Sequence, residues 1–384
     1  MKNKLQNSKS LFIVVIFYVF MQLISWPPLR YWGWWGGGNF LDTWQILQNA
    51  HCYESIGLRV YELSNGCAWL YPYGRPLLQF LNTFHLFEND ARYIGFLFLF
   101  LLAVVVSSIQ VLVRTEKGGI NYFLPFLIIS PPMLLLAERG NFDILMLTII
   151  FFSSYFFYKK RYFLSVLLVF TSALIKFYTF PLLLIYLFIP KAIKLRVFTF
   201  LLIILSFLSI YRDISTTEYT YQGGPKVVFG SELVFSHLGQ FSSLYFLFEQ
   251  RKILGIVLSL MQIGIVYSLS QRKKITLIVA ENIKSLNVIL YTFLSTTSFF
   301  CYFLGISTDY RMVFTLLSSA LLVPMLAKGN AMQQVVVSLT LISAWLSFPS
   351  GGLEILGDIT LGVLTCIHIV FFFLNRKRFY NIHL

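Results

Sequence analysis

Continuous apolar runs of 14 to 23 residues follow one another along most of the chain, separated by short polar or basic interruptions. None alternates with the period of two expected of a barrel strand. Each run has about the length a helix needs to cross a bilayer. The pattern predicts an all-α polytopic membrane protein of about 12 transmembrane helices. They are placed at 11–26, 91–113, 120–137, 143–158, 162–175, 177–190, 197–211, 253–270, 286–305, 312–327, 331–346 and 357–374. The runs at 162–175 and 177–190 are short and meet at Lys176, so a tilted or re-entrant pair is an alternative there.

Composition agrees with this reading. Of 384 residues, 57% are apolar, 18% aromatic and only 12% charged, which is outside the range of soluble globular domains. The whole chain, 1–384, reads as a single integral-membrane domain. It has a cytoplasmic N-terminus at 1–10, long outer segments at 27–90 and 212–252, and a cytoplasmic tail at 375–384. The basic start "MKNKLQNSKS" and the apolar run after it resemble a signal peptide, but no small-residue cleavage site follows. They are therefore read as an uncleaved first crossing.

Charge then orients the bundle. With the N-terminus in the cytoplasm, nineteen of the 30 basic residues fall on the cytoplasmic side. Only two of the 16 acidic ones, Glu116 and Glu281, join them. That is the positive-inside distribution. It accounts for the net charge of +14 without invoking nucleic acid. The predicted location is the inner (plasma) membrane of a bacterial cell, with both termini cytoplasmic.

The outer face holds the other acidic residues, and the candidate chemistry gathers there. The segment 27–90 is rich in Trp and Tyr, residues that favour the membrane–water boundary. Within it "TWQILQNA" predicts a short amphipathic helix, with Asp42 at or near its N-cap. Helix capping alone would account for Asp42. "YPYGRP" predicts a turn containing Tyr71 and Arg75. Further on, "ERGNFD" supplies Glu138, Arg139, Asn141 and Asp143; "ALIKFYTFP" supplies Lys176; "STDYR" supplies Asp309, Tyr310 and Arg311. Each Arg or Lys, taken alone, also fits a side chain snorkelling to the interface. Together Arg75, Arg139, Lys176 and Arg311 form a cationic set at one depth, which suits a lipid-linked phosphate. His237 in "VFSHLGQFSS" is either a phosphate contact or a plain interfacial histidine. Asp143 and Asp309 are expected to pair with Arg139 and Arg311, and Glu138 to help orient Arg139. Asp42, Glu138, Asp143 and Asp309 could in principle gather round a divalent ion, but their spacing demands none, so no metal and no cofactor is expected. Cys52 and Cys67 fall in one loop and are either free thiols or a pair, if that loop faces an oxidising compartment.

Taken in order, these motifs resemble a known family. They are an acidic residue after the first crossing, an aromatic loop ending in a Tyr-Pro turn, "RGN" with a following Asp, a Lys followed by Pro between short helices, and "DYR" opening a late crossing. The set resembles the GT-C class of membrane glycosyltransferases. The particular likeness is to glycosyltransferase family 87, the polyprenyl-phosphate-mannose-dependent mannosyltransferases, over roughly residues 40 to 330. Two departures are the turn "YPYGRP" in place of "YPP" and the Asn141-Phe142 step before Asp143. The resemblance implies a GT-C-like bundle with short amphipathic helices in the first outer loop. It implies a polyprenyl-phosphate sugar as donor, a glycan or glycolipid as acceptor, and metal-independent transfer. Asp42 would be the general base. Arg139, Lys176, Arg311, Arg75 and His237 would hold donor phosphate, with Glu138, Asn141, Asp143, Asp309, Tyr71 and Tyr310 in support.

Other classes remain open. A polysaccharide polymerase or ligase of the O-antigen type would place its chemistry in a late outer loop, whereas here the first loop carries the density of acidic and aromatic residues. A secondary transporter predicts two related halves and ionisable residues at mid-membrane. No internal repeat is visible, and the middle of nearly every run is clean. A non-catalytic subunit of an envelope-assembly complex is the remaining alternative.

Overall fold

In a computed structural model the described residues are helical almost throughout. The residues described are 40–57, 74–114, 123–187, 193–216, 250–271, 285–303, 311–326, 331–346 and 352–381, with residues 13, 16, 18, 228–229 and 307–308. Among them the chain forms two compact units interleaved in sequence. The first comprises 1–107 and 135–222, the second 108–134 and 223–384.

In chain order the helices are α1 (Leu41–Ile56), α2 (Arg75–Thr83), α3 (Ala91–Arg114), α4 (Phe123–Ile128), α5 (Pro131–Arg139), α6 (Asp143–Tyr158) and α7 (Tyr162–Ile175). They continue as α8 (Leu182–Leu187), α9 (Ile193–Thr216), α10 (Arg251–Gln271), α11 (Ser285–Phe303), α12 (Met312–Met325), α13 (Ala331–Leu346) and α14 (Gly352–Asn381). A two-residue antiparallel ladder joins Val228–Phe229 to Ser307–Thr308. Among the described residues two stretches, Ala91–Val113 in α3 and Ile355–Phe372 in α14, are long and apolar enough to cross a membrane. The broken pair α5–α6, bent by 106°, makes a third if counted as one span.

The expected single crossing at 120–137 is instead two short helices, α4 and α5, parted at Ile129–Ser130. The cause is the sequence "SPP". Pro131 and Pro132 bring no N–H to a continuing ladder, and a residue before proline is pushed out of the helical region. Both prolines fit the first turn of a new helix, where those donors would be unbonded anyway. The expected turn "YPYGRP" also differs, because Arg75 opens α2, with Gly74 extended before it and Pro76 in its first turn. The crossing expected at 177–190 divides into a 3-10 turn at Phe177–Thr179 and α8, with 188–190 outside the described residues.

Small hydroxyl residues hold helices of the first unit together. Ser165 on α7 donates to the Ser153 carbonyl of α6 at 2.7 Å and shares a 2.6 Å bond with the buried Tyr186 hydroxyl of α8. Around them Leu147, Ile150, Val166, Val169, Leu182 and Tyr186 are fully buried. Serines let backbones approach closely while satisfying their own hydroxyls.

The second unit carries polar groups that the apolar pattern does not show. His368, fully buried near the middle of α14, meets Tyr291 of α11 through Nδ1 at 3.0 Å and Ser319 of α12 through Nε2 at 3.0 Å. Asp358, ten residues earlier on α14, is also fully buried. The last run is thus not clean at its centre. Three helices meet at His368 on a hydrogen-bonded network with Tyr291 and Ser319, which gives the imidazole partners on both ring nitrogens in an apolar surround.

Candidate functional site

Four pieces of the first unit converge on one polar cluster: the start of α1, the α5–α6 corner, and the end of α7 with the 3-10 turn after it. The corner follows from its sequence. Helix α5 ends in a Schellman motif, with Gly140 N–H on the Ala137 carbonyl at 3.3 Å and Asn141 N–H on the Leu136 carbonyl at 3.4 Å. Gly140 takes φ +56°, the left-handed conformation that favours glycine. A Cβ there would also meet the Phe40 ring at 2.8 Å and the Thr43 hydroxyl at 2.9 Å.

Phe40 is bound to this corner. Its N–H donates to the Glu138 carbonyl at 2.8 Å, its own carbonyl accepts from Trp44 N–H at 2.9 Å, and its ring packs edge-on to Phe96 at 5.2 Å. It too has positive φ, +62°. For a bulky residue this is an outlier costing on the order of 1–3 kcal/mol. The buried ring and two backbone bonds hold it there. Thr43 adds a hydroxyl bond to the Gly140 carbonyl. So α1 starts where the corner fixes it, and Asp42, in its first turn, is carried to Arg139.

Asp42 therefore does not act as an N-cap. Helix α1 begins at Leu41, after Phe40, and makes no side-chain cap bond. The Asp42 carboxylate, 6% exposed, instead takes Arg139 on Oδ1, with Nε at 2.5 Å and Nη2 alongside, and the Asn141 amide nitrogen on Oδ2. Asn141 cannot be turned round. Its Oδ1 accepts the Asp143 backbone N–H at 2.8 Å and the Lys176 ammonium at 3.1 Å, both obligate donors, so its NH₂ must face Asp42.

The ion pairs depart from the sequence expectation. Lys176 pairs with Asp143, and Arg139 with Asp42. Spacing of four would match Asp143 to Arg139 only along one unbroken helix, and the 106° bend after Arg139 ends that helix. Asp143 opens α6 instead, fully buried, and also accepts the Tyr178 hydroxyl. Lys176 is itself 4% exposed and lies 6.0 Å from the centre of the Tyr178 ring. A chain of contacts thus runs Arg139–Asp42–Asn141–Lys176–Asp143–Tyr178, two cations matched by two carboxylates.

Arg75 is brought beside this cluster through the backbone. Gly74 N–H donates to the Ile175 carbonyl at 3.0 Å, next to Lys176. A Cβ on Gly74 would strike the Leu174 carbonyl, so the start of α2 is seated against the end of α7. Glu138 contributes its carbonyl to Phe40, and its side chain is half-buried. Arg311 stands immediately before α12 and belongs to the second unit. Tyr71, His237, Asp309, Tyr310 and Cys67 lie outside the described residues. Sequence reading missed Tyr178, Thr43 and the strained Phe40. Tyr178 had one signal, its position two residues after Lys176 in a polar break between apolar runs. Among the described residues no group of three or more His, Cys, Asp or Glu side chains is placed to hold a metal ion.

Chemically, the cluster joins a carboxylate able to take a proton to a guanidinium able to bind phosphate by two parallel bonds. Compared with family models, with curated proteins and with solved structures, the chain matches none.

Proposed function

We propose that the chain is an integral-membrane glycosyltransferase of the GT-C kind, similar to family 87. It would move a hexose such as mannose from a polyprenyl-phosphate donor to a lipid-linked or cell-envelope glycan on the extracytoplasmic face. The about twelve crossings, the cytoplasmic termini and the bacterial inner-membrane location belong to this proposal. The observation that carries it is the direct contact of Asp42 with Arg139, a base and a phosphate-binding cation within one bond of each other. The support for a lipid setting is the apolar character of α3, α14 and the α5–α6 pair.

In this reading an acceptor hydroxyl gives its proton to the Asp42 carboxylate as its oxygen bonds to the anomeric carbon. The bond from that carbon to the phosphate oxygen breaks, and its electron pair leaves with the polyprenyl phosphate. Charge grows on the phosphate during the step. A cation placed there stabilises the transition state more than the ground state. Arg139 is the first candidate, with a side chain 15% exposed, whereas that of Lys176 is 3% exposed. Lys176 then acts from behind, by fixing Asn141 and balancing Asp143. Arg75 is the second cation to reach the donor. Assignments for Arg311, His237, Asp309, Tyr71 and Tyr310 rest on sequence motif alone.

The test is transfer from a polyprenyl monophosphate sugar by purified chain in liposomes, beside the diphosphate analogue and an Asp42→Asn variant. Transfer from the monophosphate that Asn abolishes is the expected result; preference for the diphosphate would favour a polymerase or ligase. One observation favours a non-catalytic subunit as second reading: both charge pairs are internally matched, as a purely structural network also would be. An Asp42→Asn chain that folds and retains full function in cells would establish that reading.

A further inference from the structure

We infer that donor phosphate uncovers the base: Arg139 caps Asp42, and a phosphate drawing Arg139 away is what frees the carboxylate to take a proton. The inference rests on the functional reading above and adds an order to it, donor before acceptor.

The geometry has three parts. First, both Nε and Nη2 of Arg139 lie on a single oxygen, Oδ1 of Asp42. That oxygen's lone pairs are therefore taken by donors. Second, Oδ2 holds the Asn141 amide, whose orientation is locked by Lys176 and by the Asp143 N–H. Of the two oxygens, Oδ1 is the one whose donors come from a single side chain and leave together when it moves. Asn141 is pinned from behind by two donors, while Arg139 ends α5 and has the more exposed side chain of the two cations. Third, a guanidinium exchanges readily between a carboxylate and a phosphate, because its fork fits both. A phosphate anion at Arg139 therefore competes directly with Oδ1. Removing Arg139 leaves Asp42 still oriented by Asn141 and Thr43's helix turn, so the freed base stays in place.

The recognised chemistry is a phosphate anion with at least two free oxygens, which a lipid headgroup or free phosphate would both supply. The experiment uses the full chain in nanodiscs and measures labelling of individual carboxylates by a water-soluble carbodiimide with an amine, read by mass spectrometry. The probes are farnesyl phosphate and inorganic phosphate, with binding of each measured in parallel. Asp42 labelling is expected to rise about fivefold or more on binding, the lower range of coupling between two sites. Asp143, paired to Lys176 away from the fork, is expected not to change. A rise with farnesyl phosphate alone assigns the effect to a lipid headgroup, and an equal rise with inorganic phosphate assigns it to the anion itself. An Arg139→Gln chain is expected to label at the raised level without either probe and to ignore both. Binding of farnesyl phosphate with no rise at Asp42 overturns this inference and leaves the transferase reading standing. Failure of farnesyl phosphate to bind at all overturns both. Should Arg139→Gln not fold, the two probe arms on the natural chain decide the matter.

Discussion

Lys176 and Asp143 form a pair buried on both sides, with side chains 3% and 0% exposed. Removing either partner strands the other charge in an apolar surround, at a cost of about 3–5 kcal/mol. The two deletions are not equivalent. Asp143→Leu takes the carboxylate from the Lys176 ammonium and leaves it the neutral Asn141 oxygen at 3.1 Å. Lys176→Met leaves a carboxylate that still has the Tyr178 hydroxyl and the N-terminus of α6, where a negative charge gains about 0.3–1 kcal/mol or more. Asp143→Leu is thus expected to be the more damaging. The double variant Asp143→Leu/Lys176→Met removes both charges and is expected to recover most of the loss of the worse single variant, because apolar replacements of a buried pair are often neutral; it stays about 1–3 kcal/mol below the natural chain because the Tyr178 hydroxyl loses its acceptor. Reversible unfolding in mixed micelles, comparing midpoints at equal slope, reads all three. Single variants that each lose less than about 1 kcal/mol, against the stranded-charge cost, or a double variant as unstable as the worse single one, would refute the reasoning.

Three further outcomes are expected. Gly140→Ala forces a left-handed backbone on a residue with a Cβ and pushes that atom toward Phe40 and Thr43. It should cost at least about 1–2 kcal/mol and lower donor affinity by shifting the corner, both measurable on one preparation by unfolding and lipid binding. Tyr178→Phe removes the hydroxyl bond to the buried Asp143 and should lower stability by about 1–3 kcal/mol, with little change in the rate of transfer per folded molecule. Asn141→Asp places a third carboxylate between Asp42 and Asp143 and should abolish transfer, whereas Asn141→Gln should retain a reduced rate; equal rates for the two would contradict the locked-amide geometry.

How far the sequence could be read depends on distance along the chain. The apolar runs mark α3, α6, α7 and α10 to α14 because burial in lipid or in a core leaves a contiguous signature. The break at Ser130–Pro131 is hidden because the apolar run continues through it, although the two prolines carry the reason. The residues of "ERGNFD" stand out as charges at an apolar boundary, and Asp42 and Lys176 do so too. Their partners do not. Asp42 meets Arg139 across 97 residues, and Lys176 meets Asp143 across 33. Local spacing favoured the pair Arg139–Asp143, and only the bend at Gly140 undoes it. Phe40 has no local signal for positive φ; its conformation comes from the corner it packs on. His368 and Asp358 carry little signal in the last run because one or two polar residues barely alter a window of apolar ones.

The most direct test of the account is the rate of sugar transfer from a polyprenyl monophosphate hexose to a bacterial glycolipid extract, by purified chain in liposomes, for the natural sequence and for Asp42→Asn. The account predicts transfer by the natural chain and a loss of about 10²–10⁴-fold in the variant, the usual contribution of a general base. Equal rates in the two, with both chains folded, would contradict it.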